Sequence, residues 1–322
     1  AGERDDKMKK YAVGVDLGGT SVKMGFFTTE GELLEKWEIP TRTENGGTKI
    51  LPDIADAVRA KLDEKNLTLK DIEGVGLDLP GVVLPNGTVN KCVNLGWEVM
   101  RADDVLTELL DGTNVAVIND ANSAALGEMW KGAGIGKKSL VMVTLGTGVG
   151  GGVIVDGKII PGSHGSGGEI GHMPVVEPED EPEACGCGKH GCLEQYTSGN
   201  GIARLARRRL AQNNDPSSLR AIGDFTAHDV YNAAKAGDEV ALQITDKFAK
   251  ILGKALACIA SVNDPEAFVI GGGVSKNGSI VTDGIIKYYK EYAFHALKNT
   301  DIVLAELGND SGMYGAVKQL IG

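Results

Sequence analysis

The first apolar run of the chain, Tyr11 to Leu17, stops at Gly18-Gly19-Thr20 and resumes as Val22 to Phe27, which predicts a strand, a tight glycine turn and a second strand. Ile50, Ile54, Ala57, Val58 and Leu62 then recur at helical spacing, and Ile72 to Leu79 reads as a buried strand ending at Pro80-Gly81. Val115 to Ile118 predicts a further strand, running into Asn119-Asp120 and a helix that carries Ala124, Ala125, Leu126 and Met129. The pattern then restarts. Leu140 to Leu145 is an apolar strand, Gly146-Thr147-Gly148 a glycine turn, and Val149 to Val155 a returning strand that ends at Asp156-Gly157. DLGGTSVKMGFF from Asp16 and TLGTGVGGGVIVDG from Thr144 thus form a weak internal repeat, and two related halves facing each other across a cleft are expected. Val240, Ile244, Phe248, Ile251, Leu252, Leu256 and Ile259 mark a long amphipathic helix, Ala267 to Ile270 a strand ending in Gly271-Gly272-Gly273, and Ser311 to Ile321 a terminal helix.

The bulk numbers narrow the function. A chain of 322 residues suffices for two packed domains. Its net charge of −11 opposes general nucleic-acid binding, and the one dense basic run, Arg204 to Arg209, falls on a helix-like stretch as a solvated face or interface. No apolar run approaches a membrane span. The opening AGERDDKMKKY lacks the apolar core of a signal peptide, which with five cysteines predicts a reducing, cytoplasmic setting. Residues 1–7 read as a vector-derived leader ahead of Met8. Glycine makes up 46 of the 322 residues, about twice the usual share, and concentrates in a few loops where the backbone must approach something closely.

The densest chemistry lies in GEIGHMPVVEPEDEPEACGCGKHGCLE. Cys185, Cys187 and Cys192 follow His172, and three thiolates with one imidazole fill the tetrahedral shell of a structural zinc. The plainer reading is a disulfide pair or unrelated core thiols. Cys92 and Cys258 stand alone in apolar contexts. One metal would fix two carboxylates, Glu169 three residues before His172 and Glu194 two residues after Cys192.

Gly146, Gly148 and Gly151 satisfy GxGxxG, but a dinucleotide fold needs a helix directly after those glycines, and here a strand follows. What remains is two strand-turn-strand loops, each offering backbone N–H groups and one hydroxyl, Thr20 or Thr147, to a phosphate chain. Either loop alone is as readily an ordinary tight turn. Asp16 beside the first loop can hold Mg²⁺ through water, and Lys23 is a candidate phosphate partner. Asp120, between a strand and a helix, is either a carboxylate at a cleft edge or a helix N-cap. Asp78 competes with it, without an adjacent amide to orient a hydroxyl.

DLGGT at 16–20, LPG at 79–81, NLGW at 94–97, NDAN at 119–122, LGTGVGGG at 145–152, GEIGH at 168–172 and CGCGKHGCLE at 185–194 resemble, in that order and across nearly the whole chain, the ROK-family sugar kinases, above all bacterial glucokinases. The PEDEPEA insertion before the cysteines reads as a lengthened loop. The resemblance implies an α/β fold of two actin-like (ribonuclease H-like) domains hinged about a cleft. The smaller would take residues 9–118 and 311–322, with the terminal helix packed back on it, and the larger 119–310 with the zinc loop and a dimer surface. It implies Asp120 as catalytic base, and Gly81, Asn94, Asn119, Asp120, Glu169, His172 and Glu194 at the sugar, with His172 serving zinc as well. Asp16, Gly18, Gly19, Thr20 and Lys23, with Gly146, Thr147, Gly148 and Gly271, Gly272, Gly273, would hold the nucleotide. The implied reaction is transfer from ATP with Mg²⁺ to the 6-hydroxyl of glucose, by a homodimer acting in glycolysis. N-acetylmannosamine, fructose, mannose or allose are alternative sugars, and polyphosphate an alternative donor. A sugar-responsive repressor of the same family needs a DNA-binding segment ahead of Tyr11, where only ten residues stand.

Overall fold

Val13, Val15 and Leu17 of the first strand enter one hydrophobic cluster while Ala12 enters another, and that split organises the first half of the molecule. The computed structural model describes residues 8–322, so the leader assigned to residues 1–7 lies outside the described residues. In chain order the strands are β1 (Tyr11–Leu17), β2 (Ser21–Thr28), β3 (Leu33–Pro40), β4 (Ile72–Leu79), β5 (Val115–Asn119), β6 (Leu140–Leu145), β7 (Val149–Val155), β8 (Lys158–Ile159), β9 (Ala267–Gly271) and β10 (Asp301–Leu304). The helices are α1 (Glu44–Gly47), α2 (Ile50–Glu64), α3 (Ala102–Leu109), α4 (Asp120–Lys131), α5 (Glu194–Thr197), α6 (Gly199–Ala211), α7 (Ala227–Lys235), α8 (Glu239–Asn263), α9 (Ser279–Tyr292) and α10 (Ser311–Ile321). No described helix is long and apolar enough to cross a membrane.

Two sheets share one topology. The first runs β3-β2-β1-β4-β5 and the second β8-β7-β6-β9-β10, each opening on an antiparallel glycine hairpin and extended by parallel strands. The internal repeat seen in the sequence is therefore a repeated sheet. The periodic strands and helices all form where the pattern puts them. β3 went unread because its alternation is half polar and belongs to an edge strand.

The described chain divides into two compact units. One runs to Ile135 and adds Ile159–Gly167 and Asn309–Gly322; the other comprises Gly136–Lys158 and Gly168–Gly308. The first thus keeps α4, where the sequence reading cut at residue 118. The reason is close packing: a Cβ on Gly127 would stand 2.2 Å from the Ser311 carbonyl oxygen, and one on Gly315 1.7 Å from that of Ser123. α10 meets the sheet just as tightly, since a Cβ on Gly76 would lie 2.0 Å from the Ala316 carbonyl oxygen. Met313 and Val317 bury completely beside Ala12 and Phe27, a contribution of about 1.5–3 kcal/mol for each large apolar side chain. The opposite face of the sheet packs Val13, Val15 and Leu77 against Ile54, Val58 and Leu62 of α2. In the second unit β6 and β9 pack on α6, α7, α8 and α9 through Val143, Ile202, Val230, Phe248, Leu252 and Ile285.

Candidate active site and metal centre

In the first unit the polypeptide leaves β5 at Asn119, which is the residue that caps α4. Its Oδ1 accepts the N–H groups of Ala121 at 3.0 Å and Asn122 at 3.2 Å, while its Nδ2 donates to the Gly81 carbonyl at 2.9 Å. Gly81 has φ of 138°, a conformation open to glycine. Asp120 is therefore the first helical residue rather than the cap. It is exposed, one oxygen accepts the Ala121 N–H at 2.8 Å, and the helix N-terminus favours its negative charge.

Asp78 is its opposite. It is 0% exposed and neither oxygen has a donor in hydrogen-bonding geometry. Burial pushes its carboxyl well above the usual range, and the charges of Asp16 and Asp120 push it the same way. Sealed from solvent, Asp78 does not reach a substrate. It pairs in register with Asp16 across β4 and β1, and Gly312 of α10 leaves room for both, since a Cβ there would stand 2.6 Å from Asp78 Oδ2. Lys23, in register with Asp16 on β2, turns its ammonium to the Asp16 carboxylate at 3.4 Å.

The first glycine loop is fixed by Thr41, whose hydroxyl donates to Gly18 O at 2.7 Å and whose N–H donates to Thr20 O at 3.0 Å. Gly19 and Thr20 stay exposed. Asn94 is exposed too, its carbonyl 4.0 Å from where a Cβ on Gly19 would stand.

In the second unit the GEIGH segment lies directly on the glycines of β7. A Cβ on Gly151 would meet the Gly168 carbonyl at 2.5 Å, and one on Gly171 the Val149 carbonyl at 2.2 Å. That close approach accounts for Gly151, the last glycine of the GxGxxG spacing. It also places His172 beside the cysteines: the ligand atoms of His172, Cys185, Cys187 and Cys192 all lie within 4.8 Å of one another. His172 Nδ1 is 3.8 Å from Cys185 Sγ, and the sulfurs of Cys187 and Cys192 are 3.6 Å apart. Tetrahedral zinc with Zn–S of about 2.3 Å has ligand-to-ligand edges of about 3.8 Å, so this donor set fits the ion. All five cysteines are free thiols, and Cys258, read as apolar, is exposed on α8. Burial pushes the Cys185 and Cys192 thiols up, while the Lys189 N–H lowers Cys187.

Both expected carboxylates sit at this cluster. His172 turns Nε2 toward Glu169, 4.0 Å from its carboxylate. Glu194 accepts the Cys185 thiol at 3.1 Å and the Val149 N–H at 3.2 Å, and a Cβ on Gly148 would stand 2.7 Å from its Oε2.

Gly146, Thr147 and Gly273 line a cavity of about 600 Å³, together with Asn200, Arg207, Phe225, Thr226 and His228. Gly148, Gly271 and Gly272 do not line it. Gly271 faces Met142 and Ala305, and Gly272, with φ of 83°, packs on the Leu145 backbone. Asn200, Arg207, Phe225 and His228 went unread because they come from separated segments. The Arg207 guanidinium stacks over Phe225 at 5.1 Å and bonds Asp224, while His228 Nδ1 meets Asn277 at 2.8 Å. Another cavity, about 990 Å³ and lined by Arg59, Leu67, Lys70, Glu73 and Asp111 in the first unit, holds none of the candidate residues.

The PEDEPEA insertion does more than lengthen its loop. Glu181 is 1% exposed and accepts hydrogen bonds from Tyr196, Arg204 and Arg208. Burial opposes its charge, but the bonds from Arg204, Tyr196 and the Glu183 N–H outweigh it and hold its pKa at about 2. Arg204 and Arg208 accordingly turn onto Glu181, where their sequence read as a solvated face or an interface.

Repeated sheets, each opening on a glycine hairpin, together with a strand-end aspartate and a Cys₃His cluster, define the fold class of the two-sheet α/β sugar kinases. The chain belongs to the ROK family, whose model matches residues 12–321. It is 43% identical over 313 residues to a glucokinase of Halalkalibacterium halodurans, covering 95% of this chain and 93% of that one. Among solved structures it resembles a ROK hexokinase from Thermus thermophilus, with 31% identity, TM-score 0.81 and coverage of 96% and 97% of the two chains. A ROK family glucokinase from Streptomyces griseus in complex with glucose and AMPPNP matches with 33% identity, TM-score 0.75 and coverage of 96% and 98%.

Proposed function

We propose that the protein is an ATP-dependent glucokinase, forming glucose 6-phosphate and ADP in the cytoplasm as a homodimer. The observation that carries this reading is the 43% identity, over 95% of the chain, to a glucokinase. The site geometry agrees with it: Asp120 is exposed at a rigid helix start while the rival Asp78 is sealed.

In this reading Asp120 takes the proton of the 6-hydroxyl as that oxygen bonds to the γ-phosphorus and the bond to the β,γ-bridging oxygen breaks. Asn119, locked by its cap and by Gly81, and Asn94 orient sugar hydroxyls, as do Glu169, His172 and Glu194. The Gly18 and Gly146 N–H groups close their own turns on the Ser21 and Gly148 carbonyls, so the backbone N–H groups at Gly19 and Thr20, and at Thr147 and Gly148, receive phosphate oxygens, and the cavity beside Gly273 takes the nucleoside. Asp16 would hold Mg²⁺ through water, and the ion would supply charge neutralisation at the phosphates. Zinc on His172, Cys185, Cys187 and Cys192 would be structural.

ADP release measured with glucose, mannose, fructose, allose, N-acetylmannosamine and N-acetylglucosamine is expected to give glucose the highest kcat/KM. A tenfold preference for another sugar, about 1.4 kcal/mol, overturns the assignment. Glu169→Gln is expected to raise the glucose KM about tenfold with ATP KM unchanged, because a hydrogen bond to a charged group contributes roughly 1.5–3 kcal/mol. A shift in ATP KM alone assigns the carboxylate to the other ligand.

A further inference from the structure

Between His172 and Cys185 the backbone is tied only near its start, where the Val175 and Val176 N–H groups donate to the Gly191 carbonyl and the Leu193 N–H donates to the Met173 carbonyl. The cluster around Glu181 holds the remainder. Beyond its side-chain bonds, the Glu181 carbonyl meets His190 Nδ1 at 2.8 Å, so the insertion is tied to the knuckle between Cys187 and Cys192. Arg204 is the branching member: Nη1 donates to Glu181 at 3.0 Å and Nη2 donates to the Gln195 carbonyl at 2.7 Å. Gln195 in turn accepts the Gly191 and Cys192 N–H groups on Oε1, at 2.8 and 3.1 Å, and donates from Nε2 to the Glu183 carbonyl at 2.8 Å. Glu194 is the next residue back along α5. Among the described residues, the hydrogen bonds and ion pairs of Arg208 go to Glu181 and Glu183 alone. A carboxylate withdrawn from water in this way persists only when forked guanidinium donors satisfy it, so the cluster is rigid.

We infer that Glu181 and Arg204 are positioning residues for the sugar, acting through Gln195 to hold Glu194 where it meets substrate. The inference rests on the sugar-kinase reading of Glu194. It separates two neighbours on one helix: Arg204 conveys position, whereas Arg208 only neutralises charge.

The test compares Glu181→Gln, Arg204→Lys and Arg208→Lys in the zinc-loaded protein, using whichever hexose the parent phosphorylates best, so that failure of glucose as substrate leaves the comparison intact. Lysine keeps the charge but cannot fork between Glu181 and the Gln195 carbonyl. Glu181→Gln and Arg204→Lys are expected to raise the sugar KM about tenfold, with ATP KM and zinc content unchanged, because small displacements of a binding group are costly. Arg208→Lys is expected to lower Tm while leaving the sugar KM within about twofold. If Glu181→Gln does not fold, Arg204→Lys carries the test alone. An unchanged sugar KM in folded Arg204→Lys, or an equal rise in Arg208→Lys, overturns the inference.

Discussion

Asp120→Asn is expected to lower kcat by at least about 100-fold, since proton removal by a positioned base typically contributes 100-fold to 10,000-fold. The fold should survive. Asn119 supplies the cap oxygen to Ala121 and Asn122, and an asparagine at position 120 keeps an oxygen for the Ala121 N–H that Asp120 also accepts, so the start of α4 stays intact and Tm should stay near that of the parent. Sugar KM should change little, which places the loss in the chemical step. Asp78→Asn is the matched control: that carboxyl is sealed from solvent, so its amide should retain far more activity than the Asp120 variant. Phosphorylation at near the parent rate by folded Asp120→Asn protein would remove the proposed base.

Removal of zinc is expected to have the next largest effect, and on structure before chemistry. Metal analysis should find one zinc per chain. Cys187→Ser should weaken zinc affinity by at least about 100-fold, beyond the 10–100-fold typical of losing an outer-shell partner. Because Cys185 lies 3.1 Å from Glu194 and His172 adjoins Glu169, displacing the ligands displaces both carboxylates, and sugar KM should rise along with the fall in Tm. The cavity proposed for the nucleoside is lined by neither carboxylate, so ATP KM should move less. Active protein that contains no zinc refutes the assignment.

The hairpins, the repeat and the Cys₃His cluster were legible because each is local: apolar runs broken by glycine, or ligands close in sequence. The identity of the α4 cap was not, since Asn119 and Asp120 are both good caps and only the backbone distinguishes them. Glu181 looked like one more charge in a polar loop, and Arg204 and Arg208 like a solvated face, until their burial against each other appeared. The cavity beside Thr147 draws on segments around residues 146, 200, 225 and 273, and no local pattern joins those. Gly271 and Gly272 read as ligand-facing, but the glycines there answer to Met142, Ala305 and Leu145.

The last helix also dictates an order of assembly. Sheet β3-β2-β1-β4-β5 is translated first, yet Met313 and Val317 close one of its faces, and Gly76 and Gly127 are shaped to receive the α10 backbone. The Gly136–Gly308 stretch carries the whole of the second core by the time Gly308 is added. During synthesis, therefore, the unit whose sheet is translated earlier is the one that finishes folding later, since an apolar face of that sheet stays uncovered until the eleven-residue α10 follows.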